Sequence, residues 1–524
     1  MRPNSGCLPE LLEGRLAKKA VNTRPRAAGL LYCCLLSLSR LLPLDTPAAV
    51  PVKLSVLKPA TLLLLSFFLF AFSAFPQTQL DAHQQLAHDI FKQLVDIDTT
   101  DQHGNVTTAA QAVVDRLRAA GFPAADIQLV GPSAKKMNVV ARIHGQGSAK
   151  PTLWLAHLDV VEARKEDWSQ GLDPFQFTEK DGYYYGRGTS DIKDGASILV
   201  ANFIRLKQEG YRPAGDLILA LTADEEGGSA NGVDWLIKNR RDLIDAAYCV
   251  NLDGGDANKY NGVRKVLTIQ AAEKSYADYQ LLATNRGGHS SQPRPDNAIY
   301  ELTHAIDNIG AYSFPVHLNE ITKGYFAGTA SIESGQTATD MKALAAGTAD
   351  DAAIARLSTS PLYNSLMRTT CVPTMITAGH ARNALPQRAE ANVNCRIVPE
   401  ETPDSVLAQL QKVANSPKVE ITIVKDNGIQ PVVAPLAKLR PEVVSKVKDV
   451  TAQVFPGVIV MPEMSTGASD GKYLTLAGIQ TYGISGLFDD VNDVRAHGRD
   501  ERIAIKDYYD GLEFNYRLIK ALNP

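Results

Sequence analysis

Residues 217–228, LILALTADEEGG, decide the fold. Five apolar residues in six read as a strand buried on both faces, since a strand with one wet face would alternate apolar with polar. The run ends in three consecutive acids, Asp224, Glu225 and Glu226, and then in two glycines that break the strand. Two other stretches repeat the arrangement. Residues 151–159, PTLWLAHLD, place His157 and Asp159 just past a strand, and residues 248–255, YCVNLDGG, place Asp253 past another.

Between and around these runs the apolar residues recur at helical spacing. Residues 83–97, 107–120, 197–209 and 232–239 read as helices, and Gly121–Phe122–Pro123 stops the second. Strands alternating with helices predict an α/β layered domain with a mostly parallel sheet. In such sheets ligands bind at the carboxyl ends of the strands, where His157, Asp159, Glu225, Glu226 and Asp253 fall. A fourth polar cluster lies in the glycine-rich loop 183–195, YYYGRGTSDIKDG, with Asp191 and Asp194. An HxD pair or an acidic triplet alone is an ordinary surface feature. Gathered at one sheet edge, these carboxylates would repel one another unless cations neutralised them. Imidazole with carboxylate suits zinc, with cobalt or manganese as substitutes.

The chain has 524 residues, more than one core usually supports, so two domains after a leader are expected. Hydrophobic residues make up 45% and charged residues 21%, an ordinary globular balance. A net charge of −3 with no basic stripe argues against a nucleic-acid partner. Outside the N-terminal stretch the cysteines are Cys249, Cys371 and Cys395, an odd number at scattered spacing, so no disulfide framework is expected.

The run 60–74, ATLLLLSFFLFAFSA, follows Lys53 and Lys58. It is short for a membrane span and suits the apolar core of a signal peptide, with Ala71, Ser73 and Ala74 near a cleavage point. An uncleaved anchor through 60–74 is the alternative. The expected location is therefore exported, periplasmic or extracellular, or membrane-anchored. Further along, residues 276–284, 297–309, 387–397, 403–414 and 419–424 read as a small α+β unit. Residues 313–370 read as a polar insertion within it, and α/β character returns after Gly428. The boundaries are a leader over 1–76, a first catalytic part over 81–271, a lid over 272–427 and a second catalytic part over 428–524.

Taken together, these motifs resemble the co-catalytic zinc peptidase family of glutamate carboxypeptidase, aminoacylase, succinyl-diaminopimelate desuccinylase, vacuolar carboxypeptidase S and carnosine-type dipeptidases. The resemblance runs from about residue 85 to the C-terminus. It implies a zinc-peptidase-type layered domain interrupted by an inserted α+β lid, through which such proteins form homodimers. It also implies two metal ions, with Asp191 bridging, His157 and Asp253 on one, and Glu226 and His497 (in VRAHGRDE, 494–501) on the other. By the same resemblance Glu225 is the general base, Asp159 orients His157, and the Asp191–Ile192 bond is cis. His289, in RGGHSSQP (286–293), polarises the scissile carbonyl. Asn383 in GHARNALPQ and Arg396 in NVNCRIVP hold the substrate carboxylate, while Gly467 and Ser469 in GASDG frame the pocket.

The physics of these roles agrees. A bridging carboxylate holds two cations at the spacing two-metal hydrolases use, water between them becomes acidic, and Glu225 can take its proton. The expected function is hydrolysis of an amide beside a free carboxylate, of carboxypeptidase or dipeptidase type. Hydrolysis of N-acyl amino acids uses the same groups and stays open. A non-catalytic metal-stabilised binding protein would lack Glu225 or a ligand, and neither is missing.

Overall fold

Leu217, Leu219 and Leu221 join a hydrophobic cluster on one face of a central sheet, while Ile218 and Ala220 join a second cluster on the other. Strand geometry sends alternate side chains to opposite faces, so a strand buried on both sides must be apolar throughout. The computed structural model that shows this describes residues 79–524 other than 228, 426–430 and 432. The leader over 1–76 and its apolar run lie outside the described residues. Among those described, no helix is long and apolar enough to cross a membrane.

The sheet has ten strands among the described residues. Their order is Ile127–Ser133, Lys136–Ile143, Leu217–Thr222, Thr152–His157, Tyr248–Asn251, Gln480–Gly483, Val263–Glu273, Ala257–Tyr260 and Phe488–Asp490, with Ile459–Ser465 also beside Val263–Glu273. The centre is parallel. Thr152–His157 pairs in parallel with both Leu217–Thr222 and Tyr248–Asn251, and the latter pairs in parallel with Gln480–Gly483. The outer Ile127–Ser133 and Lys136–Ile143 run antiparallel. Because these four strands share a direction, the residues that follow them emerge at one edge.

Helices cover both faces. Ala82–Val95, Lys193–Gln208, Pro441–Val454 and Ile505–Leu522 bury their apolar sides in the larger cluster, with Phe91, Phe203 and Phe514 fully enclosed. Gly232–Asn239 and Gly471–Leu476 serve the other face through Leu236 and Leu474.

A separate antiparallel sheet, in the order Thr370–Ala378, Arg388–Ile397, Ser275–Thr284, Val419–Ile423, carries its own core. Helices Ala298–Ala311 and Pro403–Ala414 cover one of its faces through Leu302 and Leu410. This is the lid. The chain enters it where Val263–Glu273 passes into Ser275–Thr284 at Lys274, whose buried Nζ donates to the carbonyls of Ser365 (3.0 Å) and Arg368 (2.8 Å).

Two expectations need correction. Residues 313–370 contain four helices, Glu320–Thr329, Gly335–Ala346, Asp351–Leu357 and Pro361–Met367, that belong to the core of the catalytic domain and not to the lid. Ile321, Phe326 and Met341 are buried there, and Gly324 and Gly328 let the first helix approach Ile459–Ser465 so closely that an added Cβ would sit 2.4 Å from Pro462 and 2.8 Å from Met461. Second, Cys371 and Cys395 form a disulfide across adjacent lid strands, where their register places them opposite one another. Linear spacing of 24 residues carried no sign of that pairing. Cys249 is free and buried.

Candidate active site

The site forms where three of these parallel strands, Thr152–His157, Leu217–Thr222 and Tyr248–Asn251, end. His157 is the last residue of Thr152–His157, fully within the fold. Its Nδ1–H donates to the backbone carbonyl of Asp159 at 3.0 Å, which turns Nε2 toward Asp191 Oδ1 (3.3 Å) and Asp253 Oδ1 (3.9 Å). The role expected of Asp159 is thus met by its backbone. Its side-chain Oδ1 is 3.7 Å from His157 Nδ1, and the carboxylate instead accepts the N–H groups of Glu225 (3.2 Å) and Glu226 (2.9 Å). Asp159 therefore ties the acidic turn to the histidine strand.

Asp191 sits between two histidines. Oδ1 faces His157, and Oδ2 lies 2.9 Å from His497 Nε2, which is also 2.7 Å from Glu226 Oε1. One carboxylate thus presents each oxygen to a different imidazole. The Asp191–Ile192 peptide is cis. Asp224 and His497 adopt φ of +65° and +62°, a left-handed backbone unusual outside glycine, and such outliers gather at functional sites.

Donor atoms of His157, Asp191 and Glu226 lie within 4.8 Å of one another, as do those of His157, Glu225 and Asp253. Burial pushes the carboxyls of Glu225 and Asp253 well above the usual range. The charge of Asp253 adds to this for Glu225, and those of Asp191, Asp470 and Glu226 add to it for Asp253. Burial would raise Asp191 too, but hydrogen bonds from His157 and His497 hold it low. Hydrogen bonds to Asp191 and Glu226 push the His497 ring up to about 10. Positive charge is what this cluster lacks. Imidazole and carboxylate donors around crowded acids fit divalent cations of the zinc type.

A cavity of about 720 Å³ opens over the cluster, lined by Glu225, Glu226 and His497, by Gly467 and Lys472, and by Tyr276 and Arg396 of the lid. A larger groove, about 900 Å³, runs along Pro403–Ala414 of the lid and contains none of the clustered histidines and acids of the site.

The candidate residues do not all converge. Arg396 and Gly467 line the cavity. Ser469 does not. It is buried, and its N–H (3.0 Å) and hydroxyl (2.9 Å) both donate to Glu273, so it braces the loop. His289 and Asn383 lie together on a small ribbon, where Ser290 N–H donates to the Asn383 carbonyl at 3.1 Å, and neither lines the cavity. His289 Nδ1 accepts the N–H of Ser291 at 3.2 Å, which leaves Nε2 as the N–H donor of the neutral ring.

Two residues escaped the sequence reading. Glu501, four places beyond His497, is wholly buried and accepts the N–H groups of Gly188 (3.0 Å), Ser190 (2.9 Å) and Asp191 (3.1 Å) while pairing with Arg187 at 2.6 Å. Asp470 accepts from Thr222 at 3.0 Å and from Asn231, joining the 467–471 loop to the acidic strand. Asp470 lies in GASDG (467–471) and Glu501 in VRAHGRDE (494–501), but neither stretch shows which distant groups these acids meet.

Fold and site together define an α/β enzyme with a histidine and carboxylate group able to hold metal ions at the end of a parallel sheet. The chain belongs to Peptidase family M20/M25/M40, whose model matches residues 153–521. Over 383 residues it is 28% identical to the probable carboxypeptidase S-like 2 of Dictyostelium discoideum, covering 71% of this chain and 72% of that protein. Over 385 residues it is 27% identical to the N-fatty-acyl-amino acid synthase/hydrolase PM20D1 of Homo sapiens, covering 71% and 74%. The M20 family metallo-carboxypeptidase Sso-CP2 from Sulfolobus solfataricus shares the fold with a TM-score of 0.63 at 20% identity, over 84% of this chain and 99% of that one.

Proposed function

We propose that the chain is an exported hydrolase that uses two zinc ions to cleave an amide bond beside a free carboxylate, as a carboxypeptidase or dipeptidase does. The observation that carries this reading is Asp191, one oxygen toward His157 and the other toward His497. His157, Asp253 and Asp191 would hold one ion, and Glu226, His497 and Asp191 the other. Cobalt or manganese would serve as substitutes. When bound, such ions polarise a carbonyl and make water acidic.

The chain's own groups supply the rest. No side chain among the described residues bonds to the Glu225 carboxylate, and with cations offsetting the crowded acids that push it up, it would take a proton from attacking water and hand it to the leaving nitrogen. Arg396, on the lid wall of the cavity, offers a forked donor to the substrate carboxylate. His289 and Asn383 would reach the scissile carbonyl and the carboxylate when the lid closes or when a second copy presents its ribbon. The disulfide between Cys371 and Cys395 supports export, because such bonds are rare in reducing compartments.

Hydrolysis of N-acyl amino acids is the second reading. It is favoured by the similarity to N-fatty-acyl-amino acid synthase/hydrolases and by Val424, half-exposed on the same cavity wall. One panel of dipeptides and N-acyl amino acids, run with added zinc and with chelator, separates the two. Activity that survives chelation in protein free of transition metal would overturn both.

A further inference from the structure

Tyr276 and Arg396 stand directly opposite one another on antiparallel lid strands, and the guanidinium carbon lies 4.9 Å from the tyrosine ring centroid. Both line the catalytic cavity, as does Asp278. The Tyr276 hydroxyl donates to the Asp278 carboxylate, whose other oxygen accepts from Asn392 and Asn394, each at 2.9 Å. Among the described residues no carboxylate lies within ion-pair distance of Arg396.

These contacts have a common consequence. An arginine stacked on a ring keeps its in-plane N–H donors free, whereas one paired with a carboxylate spends its fork on that partner. Asp278 supplies a compensating negative charge nearby without occupying the fork. Partial burial would raise its carboxyl, but hydrogen bonds from Tyr276, Asn392 and Asn394 hold it below the usual range, so it is ionised at neutral pH. The two asparagines hold the Asp278 carboxylate in place, and it in turn fixes the phenol, which is 48% exposed and would otherwise swing free in the cavity mouth.

We propose that Tyr276, held by Asp278, is a positioning residue that presents Arg396 to the carboxylate of the substrate. The proposal rests on Arg396 as the carboxylate anchor. A cross-strand aromatic–arginine pair also stabilises a sheet in its own right, so the test must read recognition and not stability.

Kinetics are measured on one amide substrate that the enzyme cleaves and on the same compound with its carboxylate capped as a carboxamide. For Y276A the KM of the carboxylate substrate should rise roughly 5- to 20-fold with kcat little changed, the loss expected of a partly desolvated cation–π contact. Turnover of the carboxamide should move less than about 2-fold, because its recognition never used the charge of Arg396. Y276F, which keeps the ring, should restore most of the lost affinity. Y276L, which fits a strand but has no π face, provides the same reading should Y276A fail to fold. A wild-type enzyme that prefers the carboxylate, with Y276A and Y276L keeping that preference, overturns the proposal alone. A wild type indifferent to the cap removes Arg396 as anchor, and the proposal with it.

Discussion

The carboxylate of Glu501 accepts the backbone N–H of Asp191 at 3.1 Å. The same oxygen takes the N–H groups of Gly188 and Ser190, so one buried acid fixes the loop that carries the proposed bridging aspartate. Its other oxygen binds Arg187, itself buried. Outer residues of this kind typically change metal affinity by roughly 10- to 100-fold. We expect Glu501→Gln, which keeps an acceptor but loses the charge opposite Arg187, to weaken zinc binding by about that factor and to regain activity at high added zinc. Competition against a chromophoric chelator measures this. Unchanged affinity with lost activity would assign Glu501 a different role.

We propose different tasks for the neighbours Glu225 and Glu226, since only Glu226 touches His497. Glu225→Gln should lower kcat by roughly 10²- to 10⁴-fold, the usual contribution of a general base, while both metals remain bound. Elemental analysis beside the rate decides it. Metal loss in step with activity would exchange the two assignments.

The central strands, and His157, Glu226 and Asp253 just past them, were legible because each signal is local, whereas the roles of Asp191 and His497 came from the family resemblance. A buried parallel strand is apolar throughout, and the residues after it fall at one edge whatever the rest of the chain does. Elements defined by distant partners were not. Thr370–Ala378 is an exposed edge strand with Pro373 at an irregularity in its pairing, so its residues show neither alternation nor a buried run. Val263–Glu273 opens with two charged residues in three and becomes buried only where other strands flank it. The helices over 320–367 looked like lid because they interrupt it in sequence, yet their apolar sides complete the catalytic core. Glu501 meets Asp191 from 310 positions away, and Tyr276, though bonded to nearby Asp278, meets Arg396 only across the sheet.

A pH effect follows from Glu463, which is buried and accepts from the N–H of Asp256 at 3.1 Å and from the Thr268 hydroxyl. Burial, with the nearby charge of Asp256, pushes its carboxyl up to about 8. A raised carboxyl binds its proton more tightly in the folded state. Below the unfolded value, about 4.3, both states are protonated and nothing is lost. As pH rises from there to about 8 only the unfolded chain ionises, so stability falls across that window and then levels. Glu463→Gln keeps the acceptor and cannot ionise. We expect it to gain stability relative to wild type over that range, on the order of 1–3 kcal/mol. Denaturant melts at several pH values check it, and a pH-independent difference would contradict the assignment.

The proposed metal residues all lie on the catalytic domain, whereas His289 rides a lid ribbon outside the cavity, its Nε2 the donor. A donor to developing negative charge must come within about 3 Å of the reacting oxygen and is worth a few kcal/mol. His289→Ala should therefore reduce kcat by roughly 10²- to 10³-fold, with metal content and ground-state substrate binding nearly unchanged. Mixing inactive His289→Ala with inactive Glu225→Ala protein asks who delivers the histidine. Recovery of part of the activity means that one copy completes the site of another, through a dimer built on the lid. No recovery, with a monomeric mass in solution, means that the lid closes over its own catalytic domain. A His289→Ala enzyme with full activity would remove the histidine from the reaction altogether.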